Sequence, residues 1–103
     1  MWRYAPALPL DPGSEPVSLG EGWTPLLHAP RLGADLGLTR LFVKDEALNP
    51  TNSFKARGMS VAVTRARALG VTTLVVPSAG NAACALAAYA AKAGLAAHVF
   101  MPR

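Results

Sequence analysis

The chain has 103 residues and a formal net charge of +4, with 51% hydrophobic and 16% charged residues. That is one small α/β-sized unit at most, too apolar for a disordered segment and able to bury only about 60–65% of its unfolded surface. Its basic residues are scattered apart from Arg57, Arg65 and Arg67, with no aromatics alternating between them. This pattern argues against nucleic acid and for a solvated basic face or an anionic small-molecule ligand.

Met1-Trp2-Arg3-Tyr4 carries no signal-peptide apolar core, and the longest apolar run, 82–91, is far short of the roughly 20 residues a membrane span needs. A cytoplasmic protein without a membrane partner is expected. Residues 1–25 are rich in Pro and Gly and lack a period, which predicts an extended arm with turns at Asp11-Pro12-Gly13 and Gly20-Glu21-Gly22. Trp2 and Trp23 read as packing anchors for that arm. Leu32 and Leu36, four apart, predict a short helix over 29–37 closed by Gly37. His28 has no second histidine at ligand spacing and reads as a surface or packing residue.

Leu41-Phe42-Val43 predicts a strand ending in Lys44-Asp45-Glu46. Asp45 and Glu46, on opposite faces of a strand, read as strand-end charges rather than a catalytic pair. Asn49-Pro50 breaks the chain, and Asn52 or Ser53 is placed to cap a helix over 53–69. Met59, Ala62, Ala66 and Leu69 form its apolar stripe; Arg57, Ser60, Thr64 and Arg67 form its polar one, and Gly70 ends it. Thr73-Leu74-Val75-Val76 is an unbroken apolar strand, Pro77-Ser78-Ala79-Gly80-Asn81 a tight loop, and 82–93 an alanine-rich helix closed by Gly94. A helix so nearly free of charge is expected to be buried on several sides, and Cys84 within it to be an inert buried thiol. As the single cysteine, Cys84 excludes an internal disulfide and a cysteine-rich zinc centre. Ala97-His98-Val99-Phe100-Met101 is the last strand.

The order from residue 41 is β-α-β-α-β, which predicts a parallel open sheet with right-handed crossovers. The division expected is an arm over 1–40, with a possible short helix, and the sheet portion over 41–103. Ligands bind open sheets of this kind at the carboxyl ends of the strands, here the loops 45–53 and 77–81. Lys55 follows the first loop, in the first turn of its helix, where the macrodipole disfavours a cation by roughly 0.3–1 kcal/mol. It is either a solvated surface lysine or a neutral amine fit for Schiff-base chemistry, in which case Phe54 is the apolar wall that desolvates it. Ser78-Ala79-Gly80-Asn81 runs straight into a helix and reads either as a cap with a turn glycine or as a seat for an anion on free backbone N–H groups.

Four stretches together are familiar: Trp2-Arg3-Tyr4; Ser18-Leu19-Gly20-Glu21-Gly22-Trp23-Thr24-Pro25-Leu26; Lys44-Asp45-Glu46 running to Lys55-Ala56-Arg57-Gly58; and Ser78-Ala79-Gly80-Asn81. The chain resembles the amino-terminal part of threonine synthases, pyridoxal-phosphate enzymes of the tryptophan-synthase β-like fold. The resemblance implies pyridoxal 5'-phosphate held on Lys55 as an internal aldimine, with Phe54 beside it and Asn81 bonded to the ring's 3-hydroxyl oxygen. It implies that Ser78, Ala79, Gly80, Asn81 and Ala82 receive the carboxylate of an anionic amino-acid substrate. The implied reaction converts O-phosphohomoserine and water into threonine and phosphate; a serine/threonine dehydratase-like lyase and a non-catalytic piece that joins a partner are the alternatives. Ala56 and Asn52 depart from the family's usual Asp and Gly, and Ala82 stands where related loops often carry threonine. The family's glycine-rich phosphate loop has no counterpart, so the chain is expected to be a truncated amino-terminal portion. It should be inactive alone, and should associate with itself or with the rest of the fold.

Overall fold

The computed structural model describes residues 1–102. A 3-10 turn over Trp2–Ala7 opens the chain. It is followed by β1 (Leu26–His28), α1 (Pro30–Asp35), β2 (Phe42–Lys44), α2 (Lys55–Ala68), β3 (Thr73–Pro77), α3 (Asn81–Ala93) and β4 (Ala96–Phe100). Gly37, Gly70 and Gly94 lie at the helix ends with φ of 69°, 73° and 70°, the left-handed closure expected of them.

β3 and β4 are parallel neighbours in the register Thr73↔Ala96 to Pro77↔Phe100, joined by α3 as a crossover. β2 differs from expectation. It does not join β3 but pairs antiparallel with β1, a strand hidden in the Pro/Gly-rich region, through Leu26↔Lys44, Leu27↔Val43 and His28↔Phe42. The reason lies in the flanks of this ladder. Ala29 N donates to the Leu41 carbonyl and Asp45 N to the Pro25 carbonyl, so Pro25 sits where only an acceptor is needed. The ring of His28 stacks on Phe42 at 4.9 Å. The structure is therefore mixed α/β, with its parallel pair at the carboxyl end.

The core is small: Val17, Ala56, Val63, Leu86 and Tyr89, with Met59, Leu74, Val76, Ala93 and Leu95 packed around it. α2 and α3 lie against each other, and the arm crosses them. That crossing reverses the expected stripe of α2. Ser60 and Thr64 are buried, while Leu69 is exposed. Thr64 Oγ1 donates to the Ser60 carbonyl at 2.6 Å and accepts from Val17 N at 2.9 Å, and the single Ser60 hydroxyl proton is shared between the Val17 carbonyl at 2.7 Å and the Glu21 carboxylate at 2.6 Å. Two hydroxyls thus satisfy an arm backbone that has no strand partner there. α3 buries Ala83, Ala85, Leu86, Tyr89 and Ala90 and leaves Cys84 exposed, because residue 84 lies off the face that meets α2. The thiol is not buried as expected.

Glu21, between two glycines, is the unexpected centre of this packing. It is 2% exposed. Its Oε1 accepts from Trp2 Nε1 and Ser60 Oγ, both at 2.6 Å; its Oε2 accepts from Tyr89 Oη at 2.6 Å and Leu19 N at 3.0 Å. Burial alone pushes the carboxyl up. The hydrogen bonds from Ser60, Tyr89 and the backbone N–H groups of Glu21 and Leu19 outweigh it and bring the group down to about 2. Tyr89 is pushed up by burial and by the carboxylate it faces. Gly22, at φ 98°, has no room for a side chain: a Cβ there would stand 2.8 Å from the backbone of Met1.

The molecule is a slab of 51 × 41 × 17 Å with a radius of gyration of 16.6 Å, against about 13 Å for a compact domain of this length. Val75 and Phe100 are exposed on the β3–β4 pair.

Glu21→Gln leaves an amide N–H facing donors and is expected to cost about 2–4 kcal/mol of stability, measured by urea unfolding. In the native chain, Glu21 and Glu46 are both held at about 2, below the ordinary 4.5, so their stabilisation is complete above pH 4.5. It drains away as the pH falls from there toward 2, and the loss should be shallower in Glu21→Gln.

Candidate functional site

The chain between β2 and α2 turns twice. Asp45 Oδ1 accepts from Ala47 N at 3.0 Å and caps a short 3-10 turn over Glu46–Leu48; a second turn, Pro50–Asn52, leads to α2. Thr51 and Asn52 lie at φ 61° and 53°. Asn tolerates that region and β-branched Thr does not, a cost of about 1–3 kcal/mol that the surroundings must hold in place. The departure from glycine at position 52 therefore falls where a short polar side chain is next best.

What holds the turn is a second carboxylate. Glu46 accepts from Arg57 Nε at 2.6 Å and Nη2 at 2.8 Å, from Thr24 Oγ1 at 2.6 Å and from Asn49 Nδ2 at 2.9 Å. Asn49, buried, also donates to the Glu46 carbonyl at 2.9 Å, accepts from Gly22 N at 2.9 Å through Oδ1, and takes the Asn52 N–H on its carbonyl at 2.9 Å. The Arg57 bonds, with that of Thr24, hold Glu46 down at about 2 against its burial, and Glu46 in turn raises Arg57. Lys44 Nζ donates to the Thr24 carbonyl. The Gly22–Thr24 loop, the lysine turn and the first turns of α2 are thus one hydrogen-bonded block. Glu46 is the hub of that block, not a free strand-end charge.

Lys55 is the first residue of α2. Its Nζ stands 4.9 Å from the centre of the Phe54 ring, within cation–π range. Both residues are exposed, Phe54 by 58%, so the desolvating wall expected from the sequence is here a single ring. Neither Asn52 nor Ser53 caps α2; Phe54 is the N-cap residue and offers no side-chain oxygen. Ser53 turns its hydroxyl inward instead, and Ser53 Oγ and Thr51 Oγ1 are buried without a partner among the described residues. Such orphaned hydroxyls call for an explanation.

The second loop lies after β3. Ser78 N extends the ladder to the Phe100 carbonyl at 3.0 Å, and Ser78 Oγ accepts from Gly80 N at 3.2 Å. Gly80 caps α3 with its carbonyl, which takes Ala83 N and Cys84 N at 2.9 and 3.2 Å. The N–H groups of Asn81 and Ala82 and the side chain of Asn81 have no partner among the described residues, and Gly80 opens onto empty space. Ala79 is exposed. α3 packs directly on the Pro50–Asn52 turn, so this N-terminus and the lysine turn belong to neighbouring elements. A free amine, an aromatic ring and a row of free N–H groups can together engage an aldehyde and an anion.

A family model described as pyridoxal-phosphate dependent enzyme matches residues 17–103. The chain belongs to the pyridoxal-phosphate dependent enzyme family. Its similarity to threonine synthases is extensive: 48% identity over 102 residues with that of Methanosarcina acetivorans, covering 99% of this chain and 25% of the relative. The threonine synthases of Mycobacterium leprae and a Synechocystis species are 47% and 45% identical over 97% and 98% of the chain, and 28% of each relative. The chain thus spans little more than a quarter of the length of these relatives, in their amino-terminal part. The mixed α/β arrangement is the corresponding part of the tryptophan-synthase β-like fold, and pyridoxal phosphate is this family's cofactor. No helix among the described residues is long and apolar enough to cross a membrane.

Sequence reasoning did not find Glu21, Glu46, Thr24, Asn49 or Tyr89 as network residues. Their partners lie 11 to 68 positions away, except for local contacts, and no periodicity encodes such distances. Arg57→Lys keeps the charge but loses the fork that grips both oxygens of Glu46. It is expected to cost about 1–2 kcal/mol by thermal or urea unfolding, and to loosen hydrogen exchange at Asn52 N–H.

Proposed function

We propose that this chain provides the cofactor-holding amino-terminal portion of a threonine-synthase-like enzyme. Such an enzyme is a lyase that converts O-phosphohomoserine and water into threonine and phosphate. The observation that carries the reading is the free amine of Lys55, at the end of a turn clamped by Glu46 and Asn49, in which two buried hydroxyls have no partner among the described residues. The threonine synthases similar to the whole chain support it.

The residues suit the cofactor. Lys55 Nζ is the group that would hold its aldehyde, Phe54 would offer an apolar contact beside it, and Asn81 would be the donor toward the ring's 3-hydroxyl oxygen. Ser53 and Thr51 have hydroxyl hydrogen-bonding capacity unspent. When bound, pyridoxal phosphate supplies the electron sink for a carbanion next to the substrate nitrogen. The chain's own residues bind and move protons. Ser78, Ala79, Gly80, Asn81 and Ala82 form the seat of the substrate carboxylate, with the Asn81 and Ala82 N–H groups aimed along the α3 axis. Lys55 Nζ carries protons to and from the substrate carbons as phosphate leaves and water adds.

The relatives are several-fold longer, and the β3–β4 pair carries bare apolar residues. The complete reaction therefore draws on residues beyond these 103, through association with further chain or with copies of itself. These residues alone are expected to retain cofactor weakly and to show no turnover of O-phosphohomoserine.

Borohydride reduction of the chain mixed with pyridoxal phosphate should fix the label on Lys55, read by peptide mapping, and Lys55→Ala should lose it. A label spread over Lys44 and Lys92 would sink the assignment. Asn81→Ala should shift the absorption band of the bound cofactor and weaken its retention by about tenfold or more, as loss of a hydrogen bond to a charged oxygen implies. An unchanged spectrum would leave Asn81 as part of a helix start only.

A further inference from the structure

A cavity of about 300 Å³ lies among Met1, Arg3, Tyr4, Trp23, Thr24, Lys44 and Arg57. Three cationic side chains reach it from three separate elements, the opening 3-10 turn, the end of β2, and α2, and Met1 with its amino terminus lines it too. No carboxylate lines it. Arg65 and Arg67 have acidic partners, whereas Arg3 and Lys44 have none among the described residues. Arg57 spends Nε and Nη2 on Glu46 and Thr24, and its Nη1 has no acceptor among the described residues. The guanidinium of Arg3 is held 4.5 Å above the Trp23 ring and 6.0 Å from that of Tyr4. Trp23 itself is 84% exposed and sits at φ 55°, a conformation a bulky residue rarely adopts. Its backbone is held there by Gly22 N on Asn49 and by Thr24 on Glu46, so the same block that clamps the lysine turn also aims this ring at the cavity.

Like charges converging on one hollow repel unless an anion joins them, and the Trp23 and Tyr4 rings that hold Arg3 there do not neutralise its charge. The volume lies at the lower end of small-ligand pockets, with two aromatic walls and polar groups from Thr24 and Lys44. We propose that this cavity binds a small oxyanion, a phosphate ester or a carboxylate, gripped by Arg3, Lys44 and Arg57 Nη1 with its apolar part against Trp23 and Tyr4. It is separate from the Lys55 site: Lys55 and Arg57 are two positions apart on α2, about 200° around the helix, and so point to different faces. The proposal does not rest on the cofactor reading.

The test uses the chain with inorganic phosphate, read by tryptophan fluorescence and thermal shift, with sodium chloride at matched ionic strength as control. Saturable binding in the millimolar range is expected. Arg3 is exposed, so Arg3→Gln should leave the fold intact by circular dichroism while weakening binding about tenfold. Lys44→Gln should weaken it as well, and Lys92→Gln, on α3, should not. Methyl phosphate and acetate, titrated in turn, identify which oxyanion is preferred. A response no greater than that to chloride, or equal binding by Arg3→Gln, overturns the proposal. So does loss of binding in Lys55→Ala, which would place the phosphate at the cofactor site instead.

Discussion

The carboxylate of Glu21 is the constraint on which the rest of the structure depends. It lies in the interior without a basic partner in contact, and four hydrogen-bond donors offset the loss of water. Those donors come from the opening turn, the arm, α2 and α3, so a single charged group ties together the segments that also build the small core. A neutral side chain of similar size would pack but not specify which donors meet. Directional bonds give this thin molecule one arrangement where its core area alone would allow several.

Glu46 repeats the device nearer the site, with a guanidinium fork in place of a phenol and an indole. The two acids sit on either side of the Gly22–Thr24 loop, and the loop transmits the position of one to the other. Gly22 N is fixed by Asn49, Thr24 by Glu46, and Glu21 by the helices. The strained pair Thr51 and Asn52 follows a fixed Asn49: its side-chain amide binds Glu46 and Gly22, and its backbone carbonyl takes the Asn52 N–H. Position at Lys55 is therefore set through the backbone of the turn, with the neighbouring Phe54 ring beside the amine.

Much of this was legible in the sequence. Helix ends followed from Gly37, Gly70 and Gly94, the parallel pair from Thr73–Pro77 and Ala96–Phe100, and the lysine turn from Asn49-Pro50 before Lys55. Pattern reading failed where polar atoms go inside. Ser60 and Thr64 looked like a solvated stripe because helical periodicity registers side-chain polarity, not the arm that would lie across it. Leu26-Leu27-His28 gave no alternation to reveal β1, which pairs with a strand reached after α1. Cys84 was expected inside because its neighbours are alanines, yet small residues surround exposed and buried positions alike. At the candidate site the positions of Lys55 and Asn81 could be read from spacing; the network that fixes them could not.

The modest apolar core has a thermodynamic consequence of its own. Heat-capacity change on unfolding scales with apolar area newly wetted, and polar exposure subtracts from it. A chain held by one buried and one half-buried carboxylate and only a handful of enclosed aliphatic side chains wets little new hydrocarbon when it opens. Its free energy of unfolding should therefore bend weakly with temperature, giving a low, broad dome instead of a sharp maximum. Association that buries Val75 and Phe100 would steepen the curve, so its curvature doubles as a gauge of how much of the sheet is covered.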